Sequence, residues 1–149
     1  MSNSKKTFTL DEAQNLLPVL RALLARAMEG KQTVEDSEKE FQDLNHRILL
    51  SGGLFVDVPR VARRRAERDK AVQGTKDALA EIEAIGVQVK DLDIGLLDFP
   101  CVVDDQIVLL CWKLGEEKIE YWHGLEEGFR GRKRISEGIL KGKKNEKPN

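Results

Sequence analysis

Leu10, Ala13 and Leu17, then Leu20, Leu24 and Ala27, recur at intervals of three and four residues, and Leu16 and Leu23 widen the stripe. This spacing predicts an amphipathic helix. Thr9 and Glu12 make a T-x-x-E capping box with Phe8 as the staple residue before it. Asp11 and Glu12 also suit the positive end of a helix. Pro18 interrupts the pattern, because proline removes an N–H and clashes one turn back. The first helix is therefore expected to end near Leu17, with Pro18 opening a second helix or marking a kink.

Beyond Gly30 the apolar positions thin to Val34, Phe41, Leu44 and Ile48, with charge almost everywhere else. Such a stripe is narrower than a core helix carries and fits an exposed helical arm over 32–50. Ser51-Gly52-Gly53 stops it. Leu54-Phe55-Val56-Asp57-Val58 is an apolar patch read as loop, either packing over the helix ends or serving as an oligomer contact or ligand lid. Pro59 suits a helix start. Val61, Ala62, Ala66, Val72, Leu79 and Ile82 carry that helix to Gly86. With so short a connection, the two helices should form an antiparallel hairpin whose thin stripes cover each other.

The period then changes to two. Val87 and Val89 alternate with Gln88 and Lys90, and 91–95 reads as a turn. Phe99 to Val103 and Gln106 to Lys113 form a hairpin around Asp104-Asp105. A two-residue turn sets Val103 opposite Gln106 and Cys101 opposite Val108. Cys111 then lies on the other face from Cys101, so the two should not bridge. A three-residue turn would put both on one face, but not opposite one another. Ile107 to Trp112 is apolar on both faces and should be the central, doubly covered strand, and Ile119 to His123 a further one. The expected fold is α+β: N-terminal helices with a long antiparallel helical hairpin, then an antiparallel sheet of about four strands. One domain is expected over 1–136, helical over 7–86 and sheet with a glycine loop over 87–132, followed by a disordered basic tail over 137–149.

Composition agrees with one domain that has a large solvated surface. The chain has 149 residues, 40% of them hydrophobic and 34% charged. Four of its eight aromatics (Phe99, Trp112, Tyr121 and Trp122) lie between 99 and 122, which places the core there. The net charge of −1 hides a polarity. From Arg130 onward eight Lys/Arg face Glu137 and Glu146, whereas from Asp91 to Glu127 ten carboxylates face Lys113 and Lys118. A uniformly basic nucleic-acid binder is disfavoured. Arg60, Arg63, Arg64, Arg65, Arg68 and Lys70 read first as a solvated face with Glu67 and Asp69 as partners. No aromatic is interleaved there for base stacking. Two Cys make no disulfide scaffold. The start MSNSKKT has no apolar signal region, and no apolar run approaches the ~20 residues of a membrane span. A soluble cytoplasmic protein without membrane partners is expected.

Phosphate-loop, dinucleotide-loop, H-E-x-x-H, C-x-x-C and G-x-S-x-G motifs are all missing. What remains is a polar constellation. Asp91, Asp93 and Asp98 sit on the turn into the sheet, His123 and Glu126 (H-x-x-E) at the exit of the last strand, and Arg132 in the glycine loop. If the strands bring these ends together, His123, Glu126 and Asp98 offer nitrogen and oxygen ligands to zinc, manganese or iron. The structural alternative is that His123 caps the strand or bonds to Asp98, Asp91 and Asp98 hold turn N–H groups, and Arg132 pairs with Glu126. Trp112, Tyr121 and Trp122 read as core. Both Cys read as buried free thiols, and a nucleophilic Cys111–His123 pair finds no activating arrangement in the sequence.

FTLDEAQNLLP, EIEAIGVQVKDLDIGLLDFP, LLCWKLGE and YWHGLEEGFRGR together resemble a bacterial family known as domain-of-unknown-function family 2203. The similarity runs from Phe8 to Arg134. The chain departs from the family pattern at Asp105, where glycine is expected, and at Arg130, where a small residue is expected. The resemblance implies a small cytoplasmic protein and carries over no catalytic residue. The leading functional expectation is a non-enzymatic binding or assembly module that self-associates. The alternatives are a metal-binding protein, with metal-dependent hydrolysis at the sheet end, and nucleic-acid binding through the basic helix and tail.

Overall fold

A computed structural model describes residues 6–52 and 56–135. Two helices, α1 (Leu10–Ser51) and α2 (Val58–Ile85), precede five strands: β1 (Gln88–Asp91), β2 (Leu96–Val103), β3 (Gln106–Lys113), β4 (Tyr121–His123) and β5 (Lys133–Arg134). The sheet is antiparallel throughout, in the order β1-β2-β3-β4-β5. The fold is α+β as expected, with β5 as one strand more than the hydrophobic pattern showed. That strand is two exposed basic residues, so it carries no alternation to read.

Pro18 does not end the first helix. α1 runs unbroken for 42 residues, about 63 Å at 1.5 Å per residue. Pro18 is exposed, whereas Leu17, Leu20, Leu23 and Leu24 are buried on the opposite side. Each buried leucine stabilises by roughly 1.5–3 kcal/mol, and the four together outweigh the ~3 kcal/mol cost of an interior proline. The capping box forms as read: Glu12 N–H donates to Thr9 Oγ1 at 3.1 Å and Thr9 N–H to Glu12 Oε1 at 2.9 Å. Gly52 and Gly86 end the two helices in the left-handed conformation, and Asp57 caps α2 ahead of Pro59. Of the apolar patch at 54–58, Leu54 and Phe55 lie outside the described residues, as does the tail from 137. Val58 already belongs to α2 and is exposed.

The core lies between the first half of α1 and one face of the sheet. Ala13, Leu17, Leu20, Leu24 and Ala27 pack with Leu97, Phe99, Cys101, Val103, Leu110 and Trp112. Gln14 binds the link before β4 through both halves of its amide, accepting from Ile119 N–H at 2.9 Å and donating to Ile119 O at 3.4 Å. Beyond the sheet, among the described residues, α1 and α2 pack on each other. The seam is tight at Gly30, where an added Cβ would stand 2.2 Å from Thr75 Oγ1 and 2.9 Å from the Ala71 carbonyl. Thr75 Oγ1 itself donates to the Ala27 carbonyl at 3.2 Å.

The β2–β3 turn is two residues long. Asp104 and Asp105 have φ of 52° and 64°, the type I′ pattern. Val103 faces Gln106 and Cys101 faces Val108. Cys101 and Cys111 are therefore on opposite faces, and both are free and buried.

Two substitutions test these features. Gly30→Val is expected to lower stability by about 1–3 kcal/mol in urea unfolding through overpacking of the helix crossing, and no change would contradict the close approach. Asp105→Gly is expected to raise stability by about 0.5–1 kcal/mol, because glycine adopts positive φ without the steric cost.

Candidate metal centre

The β2–β3 register that turns Phe99 and Leu110 toward α1 turns Asp98 and Cys111 to the other face, directly opposite each other. β4 adds His123, opposite Leu109 and on that same second face. Three adjacent strands thus each contribute one side chain. Asp98, Cys111 and His123 are 1%, 0% and 1% exposed. One ligand atom from each, a carboxylate oxygen, Sγ and a ring nitrogen, all lie within 4.8 Å of one another.

The hydrogen bonds orient the imidazole. His123 Nδ1 lies 2.8 Å from the Gly124 carbonyl oxygen, which can only accept, so Nδ1 carries a proton. Nε2 is then the atom turned inward, 3.1 Å from Asp98 Oδ1. Asp98 Oδ2 is buried and has no hydrogen-bond partner. Burial, and after it the Asp98 carboxylate, pushes the Cys111 thiol up to about 12, against a smaller opposing pull from Arg132. Cys111 is therefore a protonated, sheltered thiol and no nucleophile.

A second layer closes over this face. The Arg132 guanidinium lies 3.9 Å from the centre of the Tyr121 ring and 4.6 Å from that of Phe129. It donates to Glu116 Oε2 at 2.5 Å, and the other Glu116 oxygen accepts from Lys113 N–H at 2.9 Å. Arg132 thus pairs with Glu116 rather than Glu126, and Phe129, 41% exposed, serves as one side of the cation sandwich. In the loop after β4, Glu127 accepts from Gly124 N–H at 2.7 Å and from Lys133 Nζ at 2.6 Å. Lys133 foremost, with the Gly124 N–H, holds the Glu127 carboxyl below the usual carboxylate range.

The residues singled out in the sequence separate accordingly. Asp98 and His123 come together at the centre of the sheet, and Arg132 closes over them. Asp91 and Asp93 are exposed at the β1–β2 turn. Asp91 there accepts from Asp93 N–H at 2.9 Å, and Asp93 pairs with Lys31 at 2.5 Å. That pair, with Glu35 second, raises the Lys31 ammonium above the usual lysine range. Glu126 is exposed on the loop and outside the cluster. Cys111 takes the third place instead. The signal for it was present: the turn that sets Cys101 opposite Val108 sets Asp98 opposite Cys111, once β2 is extended back from Phe99 to Leu96.

The chain is thus an α+β protein with a helical hairpin on a five-stranded sheet and a buried Asp-Cys-His cluster. A family model described as uncharacterized conserved protein (DUF2203) matches residues 6–135, and the chain belongs to that family. No curated protein and no solved structure matches it. Among the described residues, no helix is long and apolar enough to cross a membrane.

The thiol environment is directly measurable. In Cys101→Ser protein, Cys111 is expected to stay unreactive toward a disulfide reagent at mildly alkaline pH and to react once guanidinium unfolds the chain. Rapid reaction in the folded state would contradict the burial.

Proposed function

We propose that the protein is a non-enzymatic metal-binding protein that holds one transition-metal ion between Asp98, Cys111 and His123. The observation that carries this reading is the convergence of the three ligand atoms within 4.8 Å at a buried point. Two features support it. The unpartnered Asp98 Oδ2 leaves a buried acceptor that a cation would satisfy. The bond from His123 Nδ1 to a backbone carbonyl is the outer-shell contact that fixes a metal-ligating imidazole.

The donor set selects among metals. A thiolate with imidazole and carboxylate suits zinc, and next to it iron, while manganese prefers oxygen ligands. A bound dication would supply the charge that ionises Cys111, so binding would release its proton. Three protein ligands leave a fourth position for water, but exposures of 0–1% at all three shield that position from bulk substrate, which favours metal holding over hydrolysis.

Protein purified without a polyhistidine tag is expected to contain or take up one zinc per chain and to melt at higher temperature with it. Cobalt should give a thiolate-to-metal charge-transfer band that Cys111→Ser abolishes. Neither stoichiometric metal nor any thermal shift with zinc or iron would overturn the reading. Independently of metal, His123→Ala is expected to cost about 1–3 kcal/mol, because it removes the imidazole beside the buried Asp98 carboxyl.

A further inference from the structure

The far end of the helical hairpin combines two features that water does not favour together. Leu49 and Leu50 close α1 at 80% and 74% exposure, and Val58 opens α2 at 68%. Around them arginines outnumber the carboxylates Asp43, Asp57 and Glu67. Arg47, Arg60 and Arg63 are exposed there and make no ion pair among the described residues, whereas Arg65 lies over the Phe41 ring. The carboxylate nearest Arg60 in sequence, Asp57, is committed as the cap of α2, accepting from Arg60 N–H at 3.2 Å. The basic residues also crowd the positive end of a helix that has no acidic residue in its first turn. A helix gains nothing from cations at that end, so their placement calls for a negative partner outside the chain.

We infer that the hairpin tip docks on an anionic lipid surface, with Leu49, Leu50 and Val58 entering the headgroup boundary and Arg60 and Arg63 meeting lipid phosphates. Stable surface attachment takes two signals, an inserted apolar element and a basic patch, and the tip supplies both. A second copy of the chain fits less well, since tip-to-tip contact brings two basic clusters together. Contact of the tip with another surface of a second copy would require that surface to be both apolar and acidic. Nucleic acid would use the arginines but not the leucines. The arm provides reach, because α1 is about 63 Å long and only its first half packs on the sheet.

The test is co-sedimentation of the full chain with vesicles of phosphatidylcholine alone and of equal parts phosphatidylcholine and phosphatidylglycerol. The protein is expected in the pellet only with the anionic vesicles, and added salt should weaken binding. Leu49→Ser/Leu50→Ser/Val58→Ser and Arg60→Glu/Arg63→Glu should each reduce binding on the order of tenfold, with circular dichroism unchanged. The inference is overturned if the wild type stays in the supernatant or if either variant binds as the wild type does. It is equally overturned if light scattering finds a dimer that the serine variant dissolves without any vesicle binding, or if RNA binds through the arginines alone.

Discussion

The structure depends on the register of one strand pair. Asp104 and Asp105 turn the chain in two residues, and every pairing from Val103–Gln106 back to Leu96–Lys113 follows. Because side chains alternate, a slip of one residue would exchange the two faces. A slip of β3, for example, would take Leu110 and Trp112 away from α1 and put Cys111 into the helix-packed core, away from Asp98. Core and candidate centre are thus two consequences of one turn. This explains how the hairpin tolerates two non-glycine residues at positive φ: burial on both faces of β2 and β3 outweighs the local cost.

The two halves of the molecule are stabilised differently. Around the sheet, apolar burial is continuous from Phe8 to Ile135. In the arm, the α1–α2 seam includes Gly30, Ser37 and Thr75, Arg65 and Arg68 lie over Phe41, and Arg64 pairs with Glu40 and Glu67. Exposed ion pairs of this kind contribute little. The arm therefore owes its order to shape fit along the seam and to its covalent continuity with the packed half of α1. Of the thin apolar stripes seen in the sequence, Val34, Phe41, Leu44, Ile48, Val61 and Val72 are half-buried, while Ala62 and Ala66 stay exposed.

Much of this was legible in the sequence, for local reasons. The capping box at Thr9, the stops at Gly52 and Gly86, Pro59 at the start of α2 and the β2–β3 register all rest on the chemistry of neighbouring residues. What was not legible depends on distant ones. Pro18 stays helical because leucines on the opposite side of α1 find the sheet. Arg132 chooses Glu116 over the nearer Glu126 because the strands bring the link after β3 under the glycine loop. Asp98 looked like a turn residue until β2 extended past it, and only then does Cys111 stand opposite. Glu126 had the attractive spacing from His123, but the loop turns Glu127 inward to Gly124 and Lys133 and leaves Glu126 in water.

The central claim is that Asp98, Cys111 and His123 share one metal ion. X-ray absorption at the zinc edge of the loaded protein tests it most directly. The account predicts a first shell with one sulfur at about 2.3 Å and nitrogen and oxygen at about 2.0–2.2 Å, the sulfur disappearing in Cys111→Ser protein. A shell of nitrogen and oxygen alone, or one that Cys111→Ser leaves unchanged, would contradict it.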